Sequence, residues 1–430
     1  MKPIPILGRW ARTLAPDQSL NPTWDSAGFL VALLTLLVVG WYQQSNMILL
    51  VAGLASGPLV ASLFVGGGLG KSRPSRRAPR YVFAGGPLAI DYVIENKRRV
   101  VPALALWVED QLVAEDRTVS GWTAPLPRVF FARVTARGKG RARWEGTAPG
   151  RGRYQFGALE LVSRAPFGLI ERRMPVKAPG ELLVYPAIGR LTRTWQHVQR
   201  QTTQTRRGRR HDRSAQQQEY HGLRDYRPGD SPRWVHWRTS ARLGRPMIKE
   251  FEQQHEEDLA ILVDAWLPRS KPTTAQREAV EEAVRFAATL CMDTCRRQGR
   301  RLLLGCTGTA PVVLHGPASV KLLHSLLEQL AVLRPAAEGS IAAVLDAMPP
   351  AMLREARLVI VSTRPIQLHE EIGRSTRLAE NARRAFSGSR VMLLDASKGD
   401  LNAYFQREDR GDSSSFMARA SFEAGKESAS

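Results

Sequence analysis

"LAILVD", residues 259–264, is an apolar run closed by an aspartate. An unbroken run of this length suits a strand buried on both faces of a parallel sheet. A helix is expected after it to about Gly299, with Val280, Ala283, Ala287, Leu290 and Cys291 on one face. "RLLLGCTG" (301–308) and "PVVLHG" (311–316) read as two short strands joined by a Thr-Gly turn. Val320, Leu323, Leu327 and Leu330 stripe the next helix; "ARLVIVST" (356–363), a polar helix and "RVMLLDAS" (390–397) follow. This alternation predicts a doubly wound α/β domain over 258–400. The Ser-rich tail, 401–430, is expected to be disordered.

Upstream the texture differs. Alternating runs such as "LAIDYVIEN" (88–96), "ALALWVED" (103–110), "RVFFARVTA" (128–136) and "ELLVYP" (181–186) predict a β-sandwich-like, immunoglobulin-type domain over 78–190. Residues 191–218, with Arg206, Arg207, Arg209 and Arg210, read as a basic linker. Without interleaved aromatic residues, that run is a weak signal for nucleic acid.

Residues 27–42, "AGFLVALLTLLVVGWY", and 47–69, "MILLVAGLASGPLVASLFVGGGL", carry no charge. Two such stretches separated by four residues predict a transmembrane helical hairpin over 26–70, with Trp24, Trp41 and Tyr42 at the interfaces. Gly53 and Gly57 offer a small-residue contact between the two helices. Lys2, Arg9 and Arg12 precede the hairpin; Lys71, Arg73, Arg76, Arg77 and Arg80 follow it. Basic flanks stay cytoplasmic, so the segment 1–25 and everything after the hairpin are expected in the cytoplasm, on the inner membrane. "GGGLGKS" (66–72) resembles a phosphate loop, but Val65 stands where its first glycine belongs.

The chain has 430 residues, a formal net charge of +22 and three cysteines. That length predicts several domains, the charge favours anionic lipid or nucleic acid, and so few cysteines exclude a disulfide-built module. Cys291 and Cys295 read as small buried hydrophobes, and no cofactor is expected.

The segment 219–257 is the most distinctive. In "RDYRPGDSPRWVHWRTSAR" (224–242), Asp230 is a candidate helix N-cap, Pro232 suits a first turn and Gly244 a helix stop. Trp234, Trp237 and Ala241 would face inward, with Arg233 and Arg242 reaching Asp225 and Glu219. That arrangement is a structural buckle. A hydrolase using His236 or His221 with Asp225 or Asp230 is the enzymatic alternative, although no nucleophile stands in a recognisable elbow.

"EYHGLRDYRPGDSPRWVHWRTSAR" (219–242), followed by "PMIKEFEQQHEEDLAILVD" (246–264), resembles the signature of the domain of unknown function 58 family. Asp225 stands for the family's glutamate and Val235 for its isoleucine; "RGRYQFGALELVSRAPFGLIERR" (151–173) is similar to the segment before the signature. The resemblance picks out Glu219, Tyr220, Arg224, Asp225, Tyr226, Gly229, Asp230, Arg233, His236, Trp237, Ser240, Ala241 and Arg242 as structural or interaction residues, with no catalytic role. It implies a von Willebrand factor A-like fold for 258–400 and partnership with a MoxR-type AAA+ ATPase in assembly or maturation of complexes. Such domains often hold Mg²⁺ through Asp-x-Ser-x-Ser. Here "DAWLP" (264–268) keeps Asp264 but has Trp266 and Pro268 at the serine places, and Ser362 and Thr363 stand where a further aspartate is expected. The metal site is therefore read as degenerate, and the chain as a non-catalytic membrane-anchored adaptor that also meets lipid and binds no specific nucleic acid.

Overall fold

The structure, a computed structural model, describes residues 19–65, 69–115, 127–205, 218–227, 234–253, 258–297, 299–350, 352, 356–367, 370 and 391–407. It combines helices and several sheets, and divides into a first unit that runs to Ile188 and includes Leu327–Val332, and a second comprising Gly189–Leu326 and Leu333–Arg407. The N-terminal basic flank, the arginine run at 206–210, most of the polar helix expected before residue 390, and residues 408–430 lie outside the described residues.

The first unit opens with a short strand, β1 (Ser19–Pro22), and the helix α1 (Trp24–Tyr42). Thr23 caps α1 by accepting the Ser26 N–H. After a turn come α2 (Asn46–Ala55) and α3 (Gly57–Val65). Nineteen residues of helix span roughly 28 Å, close to the hydrocarbon thickness of a bilayer. Among the described residues α1 is the one helix long and apolar enough to cross. The expected second span is interrupted at Ser56, where Gly57 is followed by Pro58, which has no N–H for the ladder. The helices α1 and α2 meet at Gly40, where a Cβ would stand 3.0 Å from Ile48 and 3.1 Å from Leu49. Gly53 and Gly57, expected to make that contact, have nothing within 4 Å of a Cβ.

The strands β2 (Ser72–Arg77), β3 (Tyr81–Phe83), β4 (Pro87–Asn96), β5 (Ala103–Glu109), β6 (Leu112–Ala114), β7 (Arg128–Val134), β8 (Lys139–Thr147), β9 (Gly152–Phe156), β10 (Leu159–Ser163), β11 (Ile170–Val176) and β12 (Gly180–Tyr185) complete this unit. They form sheets of order β1-β11-β10-β5-β7, β3-β12-β9-β6 and β2-β4-β8. Period-2 alternation places Leu88, Ile90, Tyr92 and Ile94 of β4 in a core with Leu106, Val108, Phe131, Leu161 and Leu182.

This unit takes strands from outside 78–190, and they clasp both ends of the helical excursion. β1 pairs with β11, and the Thr23 hydroxyl donates to the Gly168 carbonyl at 2.9 Å. At the other end β2 pairs with β4, Leu69 is buried in the core, and Arg172 donates to the Ser62 carbonyl at 2.9 Å.

A charged pair lies inside the β-domain. Arg76 Nη1 is 2.7 Å from Asp110 Oδ1, both side chains are buried, and Tyr92 donates its hydroxyl to Asp110 Oδ2 at 2.8 Å. The Arg76 guanidinium also covers the Phe156 ring and donates to the Ala178 carbonyl. Burial, and then the charge of Asp110, push the Tyr92 hydroxyl far above its ordinary titration range, so it remains a donor.

The second unit contains β13 (Arg190–Leu191), α4 (Arg193–Thr205), β14 (Gln218–Asp225), α5 (Trp237–Leu243), β15 (Met247–Gln253), β16 (Leu259–Asp264), α6 (Thr274–Arg297), β17 (Arg301–Cys306) and β18 (Val312–Pro317). Then follow α7 (Val320–Val332), of which Leu327–Val332 count with the first unit, α8 (Ile341–Ala347), β19 (Arg357–Ser362), β20 (Val391–Asp395) and β21 (Phe405–Gln406). The main sheet has the order β18-β17-β16-β19-β20, parallel except for β18, which is antiparallel to β17 as the Thr-Gly turn requires. One face, with Ala260, Leu262, Leu303, Leu358 and Ile360, packs on Ile341, Val344 and Leu345 of α8. α6 packs against β16, β17 and β19, and its predicted stripe of Val280, Ala283, Ala287, Leu290 and Cys291 is buried. Burial pushes the Cys291 thiol up, and the Cys295 thiol to about 11.

Two expectations are corrected here. Within 191–218, Arg193–Thr205 is helical and Trp195 is fully buried, edge-on to Phe286 and Tyr404. Residues 401–407 are ordered: Leu401 and Phe405 are buried, and β21 pairs with β13. The cause is aromatic packing, since Phe405 lies edge-on to Phe286 at 5.9 Å.

Arg76→Met should leave Asp110 buried without its cation and lower unfolding stability by about 3–5 kcal/mol. Thermal unfolding of the detergent-solubilised chain checks this, with a smaller loss expected for Arg76→Met combined with Asp110→Asn.

Candidate functional site

The signature segment folds as a ribbon carrying a short helix. β14 and β15 run antiparallel from Gln218↔Gln253 to Asp225↔Met247, with Glu219 opposite Glu252 and a bulge between Tyr220 and Gly222. Between them α5 is capped by His236, whose Nδ1 accepts the Thr239 N–H at 3.2 Å and whose own N–H donates to the Met247 carbonyl at 2.8 Å. Gly244 stops the helix with φ 67°, a left-handed conformation that favours glycine. The expected cap Asp230, with Gly229, Pro232 and Arg233, lies outside the described residues.

Trp237 does not pack inward. It is 71% exposed, and Ala241, Arg238 and Arg242 are exposed with it. The inward side of α5 is set by Ser240, whose hydroxyl accepts the Met247 N–H at 2.8 Å. His236, Thr239 and Ser240 make that side, and at 3.6 residues per turn Ala241 falls about 100° further round from Ser240. Arg242 has no ion-pair partner among the described residues. Asp225 pairs instead with Arg245 at 3.1 Å, both exposed, while Arg224 donates to the Asp225 carbonyl oxygen and Tyr226 is partly exposed. A surface pair of this kind contributes at most about 1 kcal/mol; Arg233 and the Glu219 side chain, the other members of the expected buckle, lie outside the described residues. Among the described residues no hydrogen bond joins His236 to Asp225, as a hydrolytic pair would require.

The second cluster lies at the carboxyl ends of the main strands. Parallel pairing sets Asp264 beside Ser362, and Ser362 beside Asp395. Asp264 is 0% exposed. Its Oδ1 accepts the Thr307 hydroxyl at 2.9 Å; its Oδ2 faces the Ser362 hydroxyl at 3.1 Å and Arg364 Nε at 3.0 Å. Arg364 Nη2 donates to the Gly339 carbonyl at 3.1 Å. Thr363 Oγ1 accepts the Trp266 N–H at 2.9 Å, and Trp266 Nε1 donates to the Ala337 carbonyl. Ser362 and Thr363 therefore both contact Asp264, the first at its carboxylate and the second at its carbonyl. Arg364 and Thr307, which complete the cluster, have no distinguishing pattern in the sequence, because each arrives from a different strand. Among the described residues no group of three His, Cys, Asp or Glu side chains is placed to hold a metal ion.

The ribbon and most of the sheet fall in one stretch of sequence with known relatives. Residues 222–385 match the family described as "Protein of unknown function DUF58". The match supports that family over the stretch it covers, which runs from within β14 to shortly before β20. No curated protein matches the chain. Solved structures with some likeness include the CARDB domain of a Pyrococcus furiosus protein with di-metal ions (10% identity, 26% of this chain and 91% of that one, TM-score 0.18). Others are an alkylpurine DNA glycosylase from Pseudomonas fluorescens (16%, 34% and 42%, TM-score 0.18) and a superoxide reductase from Ignicoccus hospitalis (17%, 24% and 79%, TM-score 0.16). Likenesses this remote carry no argument about function.

Ser240→Ala should cost about 1–3 kcal/mol by leaving the buried Met247 N–H without its acceptor. Trp237→Ala should stay within about 0.5 kcal/mol of the parent, because the ring covers little. Thermal unfolding of both variants checks the pair.

Proposed function

We propose that this chain is a non-catalytic, membrane-anchored docking protein of the domain of unknown function 58 family. Its partner on this reading is a MoxR-type AAA+ ATPase, and its work the assembly or maturation of protein complexes. The observation that carries the reading is the solvent-facing Trp237, set on α5 beside exposed Arg238 and Arg242. Trp and Arg are the residue types that dominate binding energy at protein interfaces. A solvent-facing aromatic ring on a short, well-capped helix is stable there without a partner and gains when one covers it.

Anchoring rests on α1, whose Leu30, Val31, Leu34, Leu37 and Val38 are exposed. An apolar surface of that extent is matched by lipid. Both ends of the excursion pair into the same β-domain, so a chain that crosses the bilayer in α1 must cross back. α2 and α3 are the segment available for the return. The basic residues Lys71, Arg73, Arg77 and Arg80 support a cytoplasmic side for the β-domain on this reading, since such flanks stay inside and are drawn to anionic headgroups. The strand order and the aspartate ending β16 are in keeping with a von Willebrand factor A-like second unit.

Protease added outside intact spheroplasts should leave the C-terminal bulk uncut; its removal would overturn the orientation. In capture experiments on the detergent-solubilised full chain with a purified MoxR-type ATPase, Trp237→Ala with Arg242→Ala should weaken binding about tenfold or more at unchanged thermal midpoint, a difference of about 1.4 kcal/mol. Undiminished capture by the double variant would sink the docking face.

A further inference from the structure

The cluster around Asp264 lies where an open α/β sheet holds its ligands. From β16 the chain winds to β17 and β18 on one side of the sheet, then continues with β19 and β20 on the other. The crevice outside the carboxyl ends of β16 and β19 is thus a topological switch point, the usual place for a bound group in such sheets. What converges there is a fully buried carboxylate, the hydroxyls of Thr307 and Ser362, and a guanidinium.

A carboxylate with hydroxyl neighbours is the ligand set of a hard divalent cation, which completes its shell with water. The residues present do not accept such an ion. Arg364 Nε is 3.0 Å from Asp264 Oδ2, on the oxygen a cation would need. Trp266 supplies a ring where a further oxygen would help, 6.0 Å from the guanidinium carbon. Asp264 and Arg364 already cancel in charge, so this pair leaves no charge for a divalent ion to neutralise. Arg364 Nη2 is tied to Gly339, and its side chain is 27% exposed, so the arginine enters from the solvent side as an ion would.

We infer that this crevice is a hard-cation site with its cation built into the chain. Arg364 holds the position of a divalent ion and keeps Mg²⁺ and Mn²⁺ from Asp264. The inference is independent of the docking face on α5, whose loss leaves these contacts untouched.

The test is titration of the full chain in detergent with Mg²⁺ and Mn²⁺, read by calorimetry and by the thermal midpoint. The parent should show no saturable binding and no shift in midpoint. Arg364→Ala should unfold at lower temperature, regain part of the loss in Mn²⁺, and bind the ion saturably where the parent does not, as relief of an unpaired buried charge requires. Arg364→Ala with Asp264→Asn should be more stable than Arg364→Ala alone and insensitive to either ion. If Arg364→Ala does not fold, recovery of folding in the double variant supports the inference and continued failure overturns it. Saturable Mg²⁺ binding by the parent that Asp264→Asn abolishes would also overturn it, as would a folded Arg364→Ala that ignores both ions.

Discussion

A carboxylate shut away from water must be neutralised, and at the end of β16 the neutralising group is Arg364. Asp264 is fixed by its place in the sheet: one strand neighbour delivers Ser362, the other leads into Thr307, and neither carries charge. The Arg364 contact spans a hundred residues of sequence. It also ties down the loops on that edge, since the same guanidinium holds Gly339 and the hydroxyl of Thr363 holds the Trp266 backbone. The β-domain resolves a similar problem with Arg76 and Asp110, there supported by Tyr92 and an aromatic ring. In each unit a buried acid is matched by an arginine with further hydrogen bonds, the condition under which a dry ion pair is tolerable.

The two candidate regions answer different physical demands. Both oxygens of Asp264 are satisfied, and little of that side chain is offered to solvent. On α5 the polar bonds point inward, through His236 and Ser240, and the apolar ring points out. Polar anchoring of a short helix frees its aromatic residue for contact with something else, which inverts the usual division of labour on an amphipathic helix.

That inversion explains which parts of the chain were legible in sequence. β16, β17 and β19 could be read because strands covered on both faces are continuous apolar runs, and β4 because a one-sided strand alternates. Gly244 was legible because its left-handed conformation restricts the residue type. Trp237 was misread because seven residues are too few for apolar periodicity to choose the buried side; two hydrogen bonds chose it. β1, "SLNP", has no pattern of its own and exists through pairing with β11. Arg364 is one arginine among many until parallel pairing brings β19 beside β16. Trp195 was the overlooked signal: a lone tryptophan in a polar stretch, buried against Phe286 and anchoring α4 to the second unit.

The clasp at Thr23 has a consequence for how the chain is made. The acceptor of its hydroxyl, Gly168, lies 145 residues downstream. During synthesis the greasy helices emerge long before the strand that will hold their leading end, so β1 waits as an unmatched edge while α1 finds its surroundings. The β-domain cannot close around the helices until that strand has been made, which makes its later strands the latch on what was translated before them.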